Sequence, residues 1–249
     1  MSSSSTHNQP WYETWFKSPY YHVLYRDRDQ REARLFITKL LRYLAPISES
    51  HFLDLACGQG RHSLIICDAG FEVTGIDLAR ENINIARKNA NEKLHFSQHD
   101  MREPLGKELF EYVLNLFTSF GYFEKLEENE EVIKTVVHAL KKGGKFVLDF
   151  MNVETVVKGL IPEEHKDIDG IHFKIQRSHQ DGFILKRINI KDGHFVYNFN
   201  ESVKALTKKD LMDMFDRNGL EVLDMFGNYS LDKFDSERSP RLILIGKKT

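Results

Sequence analysis

The sequence predicts an α/β class fold: a doubly wound, mostly parallel sheet with helices on both faces and a small antiparallel insertion. Three observations carry this. Short apolar runs alternate with helical stripes between residues 51 and 150, and such alternation buries its faces only as a parallel sheet covered on both sides. The first run breaks into a glycine turn, "LDLACGQGRHS" at 53–63. Between about Asp169 and Leu206 the pattern changes to runs separated by Asp-Gly pairs at 181–182 and 192–193, which are hairpin turn signals.

The elements follow in order. A polar, serine-rich start, residues 1–10, reads as a disordered tail, and an aromatic arm and leading helix occupy 11–45. That helix carries its stripe at Ala33, Phe36, Ile37, Leu40, Leu41 and Leu44 and stops ahead of Pro46. "HFLDLA" is a strand, and Arg61–Ala69 a helix closed by Gly70. "FEVTGID", a helix with Ile83, Ala86 and Ala90 on one side, "LHFSQHD" and "FEYVLNLF" continue the alternation. Lys125–Lys142 reads as the clearest helix, acidic at its start and ended by Lys141, Lys142 and Gly143, before a fifth strand, "GKFVLDF". An antiparallel hairpin insertion spans 165–206. Thr207 then caps a helix with Asp210 three residues on, Leu206 and Leu211 form a staple, and two strands, "LEVLDMF" and "RLILIGKK", close the chain.

Composition excludes several function classes. The 249 residues are 41% hydrophobic and 29% charged with a formal charge of -2, so there is no general basic field for a nucleic-acid backbone. No apolar run approaches the roughly 18 residues that span a bilayer. Two cysteines within one strand-turn-helix unit fit a reduced, cytoplasmic protein without a membrane partner. Cys57 reads as a small turn residue rather than a nucleophile, and Cys67 as core packing. His22, His62, His95 and His99 have no metal spacing, so no metal is expected. Lys174, Arg177, Lys186, Arg187 and Lys191 alternate with apolar residues, as on a solvent-facing side of a sheet.

Ligands of open α/β sheets bind beyond the carboxyl ends of the strands, where three acids fall. Asp77 lies 19 residues past Gly58, the separation at which a carboxylate accepts from both ribose hydroxyls. That fits NAD as well as any other nucleoside. Against NAD, the third glycine of the dinucleotide fingerprint is replaced by Ser63, and the bulky Arg61-His62 pair crowds the turn. Asp100 and Met101 are placed for an adenine amino group and ring face. Asp54, ahead of the turn, suits a cationic amino group better than a phosphate, or else accepts from loop amides. S-adenosylmethionine has adenosine at one end and a charged amino acid at the other.

"LDLACGQGRHS", "VTGIDLA", "HDMREP", "FEYVLNLFTSFGYF" and "LKKGGKFVLDF", in that order and spacing, resemble the successive motifs of class I S-adenosylmethionine-dependent methyltransferases over about residues 50–150. The resemblance implies a seven-stranded sheet with the final strand antiparallel and one methyltransferase domain over 11–249. It also implies a cofactor-facing set. Gly58 and Gly60 approach the cofactor backbone, Asp77 the ribose, Asp100 and Met101 the adenine, and Leu116 the methionine end. Asp54, Ala56 and Leu78 belong to the same set, while Arg28 meets the carboxylate in competition with Arg26, Arg34 and a solvated helix start. The flanking parts are similar to small-molecule N-methyltransferases of the sugar-amine dimethyltransferase and glycine N-methyltransferase type.

Methyl transfer from a sulfonium is an in-line displacement, so alignment and water exclusion matter more than a base. The fourth-strand loop, "NLFTSFGYF", lacks the Asn-Pro-Pro-Tyr pattern of amide and adenine methylation, which disfavours DNA as the acceptor. The expected acceptor is a small molecule, methylated at nitrogen rather than oxygen. The candidate catalytic residues are Tyr122, near which the resembling sugar-amine enzymes carry a histidine, and Tyr21, which best matches a tyrosine of their arm. Simple docking of the arm is the competing reading of Tyr21. An O-methyltransferase, an NAD-dependent oxidoreductase and a non-catalytic cofactor sensor remain as alternatives.

Overall fold

Each amphipathic stripe becomes a helix where the central sheet offers it a face to cover. The computed structural model describes residues 10–26 and 30–249, so all of the expected tail except Pro10, and Arg28 with it, lie outside the described residues. The arm forms α1 (Trp11–Trp15) and α2 (Pro19–Leu24), the second capped by the Ser18 hydroxyl and opened by a proline. α3 (Gln30–Leu44) buries Ala33, Phe36, Ile37, Leu40 and Leu44.

The alternating region folds as β1 (His51–Leu55), α4 (Arg61–Asp68), β2 (Glu72–Asp77), α5 (Arg80–Ala86), β3 (Leu94–Gln98), β4 (Phe110–Asn115), α6 (Leu126–Ala139) and β5 (Leu140–Met151). After α7 (Val153–Lys158) the insertion forms β6 (Glu163–Ile168), β7 (Ile171–Gln180), β8 (Phe183–Asp192) and β9 (Phe195–Lys204). α8 (Lys208–Arg217), β10 (Leu220–Phe226) and β11 (Arg241–Lys248) complete the chain. The seven-stranded sheet has the order β10-β11-β5-β4-β1-β2-β3. Its final strand, β11, is antiparallel to both neighbours and every other pairing is parallel. Alternate residues of β5 serve opposite cores: Phe146, Leu148 and Phe150 pack with α6 and α8, and Val147 packs with α3, α4 and α5.

Two expectations need correction. α6 stops at Ala139 rather than Lys142, because Leu140 is already extended (φ -69°, ψ 136°) and pairs with Phe110 in β4. The "LKKGG" stretch is a bulged start of β5, and a side chain at Gly144 would sit 2.8 Å from the Lys141 carbonyl. The insertion holds four strands, not three, and begins at Glu163. Its edge strand, "EEHKDI", has no apolar alternation to reveal it, and pairs with β7 through a third Asp-Gly turn at 169–170, both residues left-handed.

Phe173, Ile175, Ile188 and Ile190 form the inner face of the inserted sheet and bury Trp15 and Leu24 of the arm. The same parity corrects the reading of its basic residues. Lys174, Arg187 and Lys191 do point outward, but Arg177 and Lys186 fall on the inner face, directly opposite each other across β7 and β8.

The start of α8 is the capping box expected, with the Thr207 side chain accepting from the Asp210 N–H, and Leu206 and Leu211 share one core. Thr207→Ala is expected to lower stability by about 1 kcal/mol, read as a lower midpoint in urea denaturation.

Candidate cofactor and acceptor cleft

The turns after β1, β2, β3 and β4 open on one cavity of about 1100 Å³, closed on its far side by the arm and the inner face of the inserted sheet. Asp54, Ala56, Gly58, Asp77, Leu78, Asp100, Met101 and Leu116 all line it, as do Tyr21 and Tyr122. Gly60 does not.

The two glycines do different things. Both are left-handed, at φ +58° for Gly58 and +81° for Gly60. A side chain at Gly58 would meet nothing within 4 Å, so this backbone is open to a ligand. A side chain at Gly60 would lie 2.6 Å from the Phe96 ring. The missing side chain of Gly60 has a packing reason of its own: it lets α4 start directly over Phe96 of β3.

Asp54 is 2% exposed, and its Oδ2 accepts from the Ser63 N–H (3.1 Å) and the Ser63 hydroxyl (2.6 Å). The residue that spoils the dinucleotide fingerprint is therefore the one that holds this carboxylate. Burial pushes Asp54 up to about 6, against the two Ser63 bonds, and the nearby Asp77 charge adds to the rise. Among the described residues no ammonium or guanidinium forms an ion pair with Asp54, and only the more distant Arg61 charge opposes the rise.

Asp77 braces the turn from the other side. Its Oδ2 accepts from the Gly58 N–H (2.9 Å) and its Oδ1 from the Ala79 N–H (2.8 Å). Burial raises its pKa and these amides oppose the rise. Each oxygen retains acceptor capacity toward the cleft. Asp100 is forked by Arg102, whose N–H (2.9 Å), Nε and Nη2 (2.6 Å) all donate to it, and Arg102 continues to Glu128 (2.9 Å). Three donor groups on about four lone-pair sites leave room for one more. Met101 is pinned through its carbonyl by the Thr135 hydroxyl (2.8 Å), and Leu78 by Gln98 Nε2 (3.0 Å).

The two tyrosines come together on one aromatic wall. Phe16 sits between them, with ring centroids 5.0 Å from Tyr21 and 5.6 Å from Tyr122, and Trp11 packs on Tyr122 at 4.9 Å. The buried Trp11 Nε1 has no hydrogen-bond partner among the described residues, an unmet donor beside the cleft.

Beyond that wall lie residues the sequence reading missed. Glu201 accepts from Trp15 Nε1 (2.7 Å), from the Tyr25 hydroxyl (2.7 Å) and from Lys186 Nζ (2.8 Å). Burial alone would raise Glu201, but the Lys186 ammonium and these donors hold it below its ordinary value. Arg177, Lys186 and Glu201 form one cross-strand row, with Arg177 paired to Glu164 (2.6 Å). The available signal was parity, because Arg177 continues the inward series Phe173, Ile175, and Lys186 the series Ile188, Ile190. Cys57 also lines the cleft, but burial pushes its thiol well up and leaves it protonated. Among the described residues no group of three or more His, Cys, Asp or Glu is arranged to hold a metal ion, and no helix is long and apolar enough to cross a membrane.

The sheet order with its antiparallel last strand, and the cleft at the carboxyl ends of its parallel strands, match the fold of class I S-adenosylmethionine-dependent methyltransferases. Residues 52–144 match the family described as "Methyltransferase domain". It is 32% identical over 130 residues to YqeM of Bacillus subtilis, assigned as a methyltransferase, covering 49% of this chain and 53% of that one. It is 31% identical over 126 residues to the dTDP-3-amino-3,4,6-trideoxy-alpha-D-glucopyranose N,N-dimethyltransferase of Streptomyces venezuelae, covering 50% and 52%. The chain spans about half the length of the curated relatives it matches. Among solved structures, an S-adenosylmethionine-dependent methyltransferase of Clostridium acetobutylicum superposes with a TM-score of 0.78 at 21% identity, over 92% of this chain and 96% of that one, a likeness of fold.

The glycine geometry yields a paired prediction. Gly60→Ala is expected to cost about 1–3 kcal/mol, from backbone strain and the collision with Phe96, and to lower the thermal midpoint. Gly58→Ala incurs the strain without the collision and should be the more stable of the two variants.

Proposed function

We propose that the chain transfers a methyl group from S-adenosylmethionine to a nitrogen of a small-molecule acceptor. The observation that carries the reading is the pair of carboxylates in one cleft: Asp77, half-buried and braced on backbone amides with acceptor capacity to spare, and Asp54, buried and without an ion-pair partner among the described residues. Asp77 takes the ribose hydroxyls, Asp100 and Met101 the adenine, Asp54 the α-amino group and Leu116 the methionine chain. Gly58, Ala56 and Leu78 offer their backbone at close range.

The cofactor supplies a methyl carbon on a cationic sulfur. The protein aligns an acceptor with that carbon and keeps water out, which the aromatic wall around Tyr21 and Tyr122 is built to do. The two rings also present faces and hydroxyls to a cationic centre and to the attacking atom. The cavity exceeds the roughly 300–1,000 Å³ typical of a single ligand site, consistent with cofactor and acceptor together. The sugar N,N-dimethyltransferase relative supports nitrogen as the acceptor atom.

Asp77→Asn is expected to weaken S-adenosylhomocysteine binding by ten-fold or more, about 1.4 kcal/mol, in isothermal calorimetry. Unchanged affinity would refute the ribose assignment. A screen of amines, amino sugars and hydroxylated metabolites tests the reaction: turnover only with hydroxyls would move the acceptor atom to oxygen, and no turnover at all would leave a binding protein. With an acceptor in hand, Tyr21→Phe and Tyr122→Phe should lower kcat; if neither does, the wall only encloses.

The raised pKa of Asp54 sets a pH dependence. Below about 6 the free protein holds this carboxyl protonated, and above it ionised. Its contribution to folding is therefore largest below its unfolded value and is lost as pH rises through 6. An ammonium prefers the ionised form, so S-adenosylhomocysteine should bind more tightly as pH rises from 5 to 7, with proton release at the acid end. Asp54→Asn should flatten that slope.

A further inference from the structure

The loop after β4 is held in a conformation its residues do not favour. Phe117 and Thr118 are consecutive left-handed residues, at φ +58° and +62°, and neither is glycine. A β-branched threonine at positive φ is strained and persists only where its surroundings over-determine it. Both residues line the cleft, directly after Leu116.

One buried carboxylate determines the pair. Asp149 on β5 is 0% exposed and does not line the cleft. Its Oδ2 accepts the Phe117 N–H (2.8 Å), and its main-chain carbonyl accepts the Thr118 N–H (3.0 Å). Its Oδ1 accepts from Arg241 Nε (2.8 Å) and pairs with Arg241 Nη2 (2.7 Å), and the same Nη2 donates to the Thr118 hydroxyl (2.9 Å). Arg241 comes from β11, the antiparallel strand beside β5. The Phe117 ring, so placed, stacks between His62 (4.9 Å) and Tyr229 (4.8 Å). Burial, with the neighbouring Arg61 charge, pushes His62 down to about 3, so its ring is neutral, while the Arg61 guanidinium of α4 lies 4.9 Å from the Phe117 ring centroid.

We infer that Asp149 and Arg241 are positioning residues that hold Phe117 and Thr118 in their strained conformation and thereby shape the subsite for the amino-acid end of the cofactor. This rests on the proposed placement of that end beside Leu116. Asp149 is buried behind the cleft and does not line it, so its effect travels through the loop backbone. An asparagine in its place keeps one acceptor oxygen and cannot serve both the Phe117 N–H and Arg241.

The test compares two ligands that share adenosine and differ in the amino-acid end: S-adenosylhomocysteine and 5′-methylthioadenosine, titrated by calorimetry. Asp149→Asn is expected to weaken S-adenosylhomocysteine roughly ten-fold and methylthioadenosine less than about two-fold. Adding Thr118→Gly, which adopts a left-handed φ without strain, should recover most of the loss. Loosening of the fold alone would weaken both ligands alike and would not be rescued by glycine, and either result overturns the inference. If Asp149→Asn does not fold, Arg241→Lys is read the same way, since a lost direct contact from Arg241 would not be restored by a glycine at 118. If the wild-type protein binds neither ligand, the cofactor placement fails, and the role of the pair with it.

Discussion

The Asp77 carboxylate is the joint on which the strand-turn half of the cleft turns. By accepting the Gly58 N–H at one oxygen and the Ala79 N–H at the other, it ties the turn after β1 to the turn after β2. Those two turns come from neighbouring parallel strands whose register is fixed by the sheet, so their separation is set by main-chain geometry rather than by side-chain rotamers. A carboxylate buried among backbone amides keeps its place because leaving would orphan both donors. The same arrangement recurs one layer deeper, where Asp54 accepts twice from Ser63 at the start of α4.

The other half of the cleft is built by different means. The arm and the inserted sheet contribute side chains, and their polar groups are neutralised pairwise: Lys186 with Glu201, and Arg177 with Glu164. Arg177 and Lys186 stand opposite each other on adjacent strands, an arrangement of like charges that is unfavourable unless anions flank it. Trp15 anchors this half through its ring in the apolar core and its Nε1 on Glu201, so one residue joins the apolar and ionic layers.

That difference explains what was legible in the sequence. The succession of strands and helices, the two covered faces of the sheet and the positions Asp54, Asp77, Asp100 and Met101 follow from local pattern and spacing, and Ala56, Gly58, Leu78 and Leu116 from the resemblance of the successive motifs, because main-chain turns carry them all. The packing demand on Gly60 is not legible in the sequence, because a glycine demanded by a ring beneath it looks the same as one demanded by a ligand above it. The strand Glu163–Ile168 was invisible because an edge strand with both faces polar has no alternation. Lys186 and Arg177 were read as solvated because charge was weighed ahead of parity. The pairings of Glu201 with Lys186 and of Asp149 with Arg241 join residues 15 and 92 positions apart, and no local spacing announces them.

The Asp149–Arg241 pair bears on how a sheet of this kind acquires its antiparallel last strand. β11 fills the position between β5 and β10, and covering β5 would be satisfied by any apolar strand. Arg241 is the first residue of β11, placed by the register opposite Met151 at the cleft end, while Ile243, Leu244 and Ile245 behind it are buried. A parallel strand entering from the cleft end is impossible, since parallel strands leave the sheet there. Only a reversed strand begins at the mouth of the cleft and delivers its opening side chain to the loop after β4. The reversal therefore does more than complete the core: it supplies the cleft with a cation that is anchored from behind, and through Asp149 it transmits the rigidity of the sheet to the two residues that most need it.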